Sequence, residues 1–169
     1  MMRRILMFLI IAFGALLQQL LPAWSLCGGI KPPILAAIAL HFALRKEKKE
    51  LWSALAFAAL LQDGLDMGSF GPALLAFPAV GLAAYRIRNE IFADGLVTQL
   101  VLGACLGFFT TGVTLFVYSA TGQRHTYPGV VFLRLISSIG LGMATLPLVS
   151  RSINWLEASL PKRKGYGWQ

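Results

Sequence analysis

Charge is what this 169-residue chain has least of: 13% of its residues are Asp, Glu, Lys or Arg, and only seven of them are acidic. A soluble domain averages about 25% charged residues, so the deficit leaves too little polar surface to meet water on every side. With 57% of the residues hydrophobic, the composition predicts an integral membrane protein. Cysteine and histidine are scarce as well, two of each. Neither His41 nor His125 has a cysteine or carboxylate at metal-ligand spacing, so no metal site is expected. A phosphate-cradling P-loop and a Gly-x-Ser-x-Gly elbow are both missing. No catalytic residue and no cofactor are therefore expected, and the chain reads as non-enzymatic.

What is present in quantity is apolar sequence, in six runs: 5–26, 32–44, 51–65, 72–85, 96–120 and 130–156. A hydrocarbon core of about 30 Å needs about 20 helical residues, which the first, fifth and sixth runs supply. The middle three are short and borrow flanking residues such as Lys31, Arg86 and Arg88, whose long side chains snorkel to headgroups. The expected fold is all-α: a polytopic bundle of six transmembrane helices over residues 1–160, followed by a basic tail at 161–169.

The formal net charge of +8 suggests nucleic acid only until its placement is read. Arg3, Arg4, Arg45, Lys46, Lys48, Lys49, Arg86, Arg88, Arg151, Lys162, Arg163 and Lys164 cluster in alternate gaps between apolar runs. The short-loop Lys/Arg bias puts those gaps, and both termini, in the cytoplasm. Lys31 and Arg124 fall outside, and Arg134 lies within the sixth run. Aromatic residues agree, with Trp24, Tyr118 and Tyr127 at outer ends and Trp52, Tyr85 and Trp155 at inner ones. The N-terminal run reads as a span and not a cleaved leader, because it continues through Leu20 and Leu21. Cys27 and Cys105 differ in expected depth by about 10 Å or more, beyond the roughly 7 Å limit for a disulfide, and read as free thiols.

The stretch LQDGLDMGSFGP, residues 61–72, places Asp63 and Asp66 one helical turn apart. A buried pair would repel, and an ion relay uses such pairs. Gly64, Gly68 and Gly71 weaken a helix here, however, and Pro72 suits the first turn of the next one. The expectation is an outer-side turn with Asp63 as a structural or pairing charge. Arg134, roughly 9 Å into its helix, is its candidate partner, since an unpaired charge in hydrocarbon costs several kcal/mol. Gly103 with Gly107 and Ser138 with Gly142 have the four-residue spacing that lets helix backbones approach. That spacing serves contact within one chain or between two copies, as a homo-oligomer. Gln99, Thr110, Thr111, Thr114, Ser137 and Ser138 read as helix-to-helix hydrogen bonders. His41 reads as interfacial packing. Lys162-Arg163-Lys164 read as a tail held to anionic membrane lipids.

Four stretches together resemble the rod shape-determining protein family MreD: LLQQLLP closing the first helix, KPPILAAIALHFALR in the second, ALLQDGLDMGSFGP ending the third, and ALLAFPAVGLAAYRIR in the fourth. Asp63 matches the family's aspartate, Gly68 and Ser69 its Gly-Ser turn, and Gly71 its following glycine. The likeness covers roughly residues 10–90. This chain has Pro32-Pro33 where the family often has Pro-Asp or Pro-Asn, and Ala58-Ala59 where it often has glycine.

The resemblance implies a noncatalytic scaffold of the cell-elongation complex in the bacterial inner membrane. Its implied partners are an MreC-like bitopic membrane protein, the actin-like MreB, RodA and a penicillin-binding protein. A fold likeness to vitamin-binding subunits of membrane transporters supplies the alternative. A scaffold is expected to carry no solute pocket, whereas a binding subunit needs a cavity near the outer face. The thin supply of buried polar groups favours the scaffold.

Overall fold

The computed structural model describes residues 2–22, 29–45, 48–66, 71–88, 95–122 and 127–159. They form six helices: α1 (Met2–Leu20), α2 (Ile34–Arg45), α3 (Lys48–Leu65), α4 (Pro72–Ile87), α5 (Leu96–Ala120) and α6 (Pro128–Ser159). The all-α expectation holds. Two of them, Leu96–Ala120 and the Pro128–Leu156 part of α6, are long and apolar enough to cross a membrane. The apolar part of α1 is shorter than expected, Ile5–Leu20.

The short second run turns out to be the centre of the bundle. At 12 residues α2 is about 18 Å long, well below the thickness of a hydrocarbon core. It touches all five other helices, and every residue from Ile34 to Ala43 is buried. Its lack of a polar face follows, because a helix surrounded by helices has no side turned to water. Alanines make the crowding feasible: Ala36, Ala37, Ala39 and Ala43 of α2 lie in one core with Ala54, Ala58 and Ala59 of α3 and Ala73 and Ala76 of α4. Phe42 is the largest side chain fully buried there.

Around this centre α1, α3 and α4 form one group and α5 pairs with α6. Gly103 faces Gly142 and Gly107 faces Ser138, so α5 and α6 run antiparallel. A Cβ at Gly103 would meet the Gly142 carbonyl oxygen, and one at Gly107 that of Ser138. Ser138 Oγ donates across the gap to the Gly107 carbonyl at 2.9 Å. The small residues thus serve contact within the chain. α2 and α6 run parallel, joined by His41 Nδ1 with Ser150 Oγ at 3.1 Å and by Arg45 donating to Asn154 Oδ1 at 2.6 Å.

The outward surface stays apolar. Phe13, Leu16 and Leu20 of α1, Leu96, Val97 and Phe116 of α5, and Phe132 and Leu148 of α6 are all more than 60% exposed. A soluble monomer rarely shows apolar surface on this scale. α1 is apolar on both sides, since Met7, Ile11 and Ala15 on its inner face are buried.

Candidate functional site

The ends of α1, α3 and α5 and the starts of α2, α4 and α6 lie at one end of the bundle, and there the packing opens. Buried residues of α5 stop at Gly107, and no residue of α6 before Ser138 is buried. Beyond that level the α5–α6 pair leaves the other helices and borders a half-open cavity of about 730 Å³. Thr110, Thr111, Thr114, Leu115 and Tyr118 of α5 and Arg134 of α6 form one wall. Asp63, Asp66, Pro72, Ala73 and Phe77 stand opposite, with Gln18, Gln62 and Lys31 beside them. From Thr110 to Tyr118 the wall is about 12 Å deep.

Asp63 builds the α3–α4 side of this cavity. A helix start leaves its first amides without partners, and the N-cap here is Gly71, which has no side chain to supply one. Asp63, eight residues upstream, takes that role. Its Oδ2 accepts from the Gly71 and Leu74 amides at 3.1 Å each, and its Oδ1 accepts from Ala73 at 2.9 Å. Pro72, between them, has no N–H to satisfy, and Leu75 already donates to the Gly71 carbonyl. Every amide of the first turn is therefore accounted for. The carboxylate charge also sits where the helix dipole is positive. Gly71 adopts φ +130°, a conformation that side-chain-bearing residues rarely take.

The start of α2 is solved in the same way. Pro32 and Pro33 bring no amide, and the Leu35 amide donates to Gln18 Oε1 of α1 at 2.9 Å. Gln18 Nε2 donates to Gln62 Oε1 at 2.8 Å, and Gln62 Nε2 donates to Asp66 Oδ2 at 2.8 Å. A polar chain thus runs from the start of α2 to the end of α3 along one side of the cavity. Gln19 Nε2 donates to the Leu65 carbonyl at 3.1 Å, while Lys31 Nζ donates to Gln19 Oε1 at 2.8 Å.

Several sequence expectations change here. Asp63 and Arg134 do line one cavity, but the hydrogen bonds to the Asp63 carboxylate come from backbone amides. Asp63 and Asp66 do not form a buried acidic pair, since Asp63 is buried and Asp66 is exposed. Thr110 and Thr114 do not bridge helices: their hydroxyls donate to the Leu106 and Thr110 carbonyls of α5 itself, and their faces line the cavity. Pro72 is the first residue of α4, and Gly103, Gly107, Ser138 and Gly142 lie where α5 crosses α6. Cys105 is a free, exposed thiol. Gly68, Ser69, Cys27, His125 and the tail at 161–169 lie outside the described residues.

Sequence reasoning gave no role to Gln18 and Gln62, and it read Lys31 and Tyr118 only as an outer-side cation and an interfacial aromatic, not as cavity residues. A signal for the glutamines was available: the triplet LLQ closes an apolar run at 16–18 and again at 60–62. The structure brings these two glutamines together, Gln18 donating to Gln62. No group of three His, Cys, Asp or Glu residues able to hold a metal occurs among the described residues.

No protein-family model matches the chain, and no solved structure matches it.

Proposed function

We propose that this protein is a noncatalytic scaffold of the bacterial cell-elongation complex, a multi-pass protein of the inner membrane that links an MreC-like partner and peptidoglycan synthesis to cytoplasmic MreB. The observation that carries the reading is the use made of Asp63. In the segment through which the chain resembles MreD, the aspartate spends both oxygens on the backbone of α4, a shape-holding role and not a chemical one. The apolar exterior supports residence in lipid, where helices satisfy their own backbone groups. In this reading all six helices belong to the membrane domain, with the shorter α2 and α4 embedded through their neighbours. The cavity end faces outward, and Arg45, Arg86, Arg88 and Arg151 at the other end face the cytoplasm.

A second reading is favoured by one observation. A scaffold needs no pocket, and about 730 Å³ falls inside the roughly 300–1,000 Å³ range of ligand pockets. A solute-binding subunit of a transporter accounts for such a cavity. Affinity purification from the native membrane separates the two. The scaffold reading expects a bitopic MreC-like protein and wall-synthesis enzymes to travel with the chain, and depletion to round rod-shaped cells. Recovery of a bound solute with energy-coupling subunits, and no wall proteins, would overturn it.

A further inference from the structure

Among the described residues the charged side chains lining the cavity are the carboxylates of Asp63 and Asp66 and the cations Lys31 and Arg134, so the lining is balanced in sign. Two of the four are already engaged. Both Asp63 oxygens accept backbone amides of α4, and Arg134 has a partner of its own. The other two keep capacity in opposite senses. Lys31 gives one of its three donors to the neutral Gln19. Asp66 is exposed and accepts one bond, from Gln62 at Oδ2, of the roughly four that a carboxylate can take. The end of α1 brings the two close: Gln19 accepts from Lys31 and donates to the Leu65 carbonyl, one residue before Asp66, while Gln18 donates to Gln62. Each charge thus leans on a neutral glutamine and not on the other charge. Phe77 and Leu115 add apolar wall, and Tyr118 a phenol.

From this we infer that the cavity is a binding site for a zwitterion, with an ammonium held by Asp66, a carboxylate or phosphate held by Lys31, and an apolar portion lying on Phe77 and Leu115. Charge balance selects this class. A simple anion drawn to Lys31 would bring its charge up to Asp66, and a simple cation drawn to Asp66 would meet Lys31. Either would add net charge to a space walled in part by apolar side chains, where unpaired charge is costly. A ligand of both signs engages both side chains through charge-assisted bonds and adds none. Two sources offer this chemistry: the headgroup of an aminophospholipid reaching the half-open side, or a water-soluble amino acid. The inference rests on the cavity and not on the scaffold reading, because wall proteins can copurify with a chain whose cavity binds nothing, and a zwitterion can bind a chain that recruits none.

The full chain, purified in a neutral detergent, is titrated by native mass spectrometry and thermal shift. The soluble probes are free phenylalanine and its singly charged analogues phenethylamine and 3-phenylpropionate; the lipid probes are dihexanoyl-phosphatidylethanolamine and dihexanoyl-phosphatidylglycerol. Wild type is expected to bind a zwitterion saturably and about tenfold or more tighter than the matching probe of one charge. The tighter of the two zwitterions names the source, amino acid or lipid. Asp66→Asn keeps an acceptor for Gln62 and should erase the preference over the anionic probes, while Lys31→Gln should erase the preference over phenethylamine. Each variant is first shown to keep the wild-type circular dichroism spectrum. Where either fails to fold, Thr111→Trp, which fills the cavity from α5, carries the comparison and should abolish binding. Equal binding of a singly charged probe by wild type, no binding of either zwitterion, binding that survives Thr111→Trp, or folded charge variants that keep the wild-type preference overturn the inference.

Discussion

Removing the Asp63 carboxylate tests how this fold is assembled. In Asp63→Ala the amides of Gly71, Ala73 and Leu74 lose their acceptor together, and the 4% exposure of Asp63 leaves little access for water to replace it. An ordinary N-cap loss costs about 0.5–2 kcal/mol, and a buried donor left unsatisfied costs about 1–3 kcal/mol. These terms overlap, so a total of about 2–4 kcal/mol is expected, short of their sum. For a protein of this size that corresponds to a fall in Tm of about 4–16 °C, read by near-ultraviolet circular dichroism in detergent. Asp63→Asn keeps one acceptor but loses the charge and should fall between Ala and wild type. The control is Asp66→Ala, whose carboxylate is exposed and among the described residues accepts from Gln62; a loss of about 0.5 kcal/mol or less is expected. Equal losses at the two aspartates, or a stable Asp63→Ala, would refute the capping account and return Asp63 to the role of an ion-handling group.

Three further outcomes follow from the same geometry. Gly71→Ala should destabilise by about 1–3 kcal/mol through backbone strain alone, since a Cβ there meets nothing within 4 Å; Gly64→Ala, equally open but helical, should stabilise by up to about 1 kcal/mol. Thermal unfolding of the pair checks the contrast, and loss of stability in both would sink it. At the α5–α6 crossing, Gly107→Ala forces a Cβ onto the Ser138 carbonyl and should cost about 1–3 kcal/mol, whereas Gly112→Ala, also helical and with open space around it, should stabilise by up to about 1 kcal/mol. If Gly107→Ala melts no lower than Gly112→Ala, the close crossing is wrong. Gln18→Leu should destabilise by about 1–3 kcal/mol, because the buried Leu35 amide loses its acceptor; Gln18→Glu, which keeps an acceptor, should retain more of the stability in the same melt.

The positions of the helices were legible in the sequence because apolar runs and their charged gaps are local. Runs at 32–44, 72–85 and 96–120 sit close to the observed α2, α4 and α5. The role of α2 was not legible: a short apolar run reads alike whether lipid or other helices surround it, and only contact with all five neighbours decides between them. Asp63 shows the same division. Glycines and Pro72 mark a turn from their own conformational preferences, so a structural aspartate beside them could be expected. Which atoms it would hold could not, since the choice between Arg134 and three amides depends on how α3 and α4 meet.

By itself, then, the sequence determined an all-helical, apolar chain with its cations in alternate gaps, because hydropathy, helix length and turn chemistry are properties of neighbouring residues. Tertiary structure alone decided that α2 is the core, that Gln18 and Asp63 cap helices other than their own, and that Lys31, Tyr118 and Arg134 share one cavity. Those facts join residues as far apart as 31 and 134, and they exist only where helix packing stops short and leaves space between the chain's two halves.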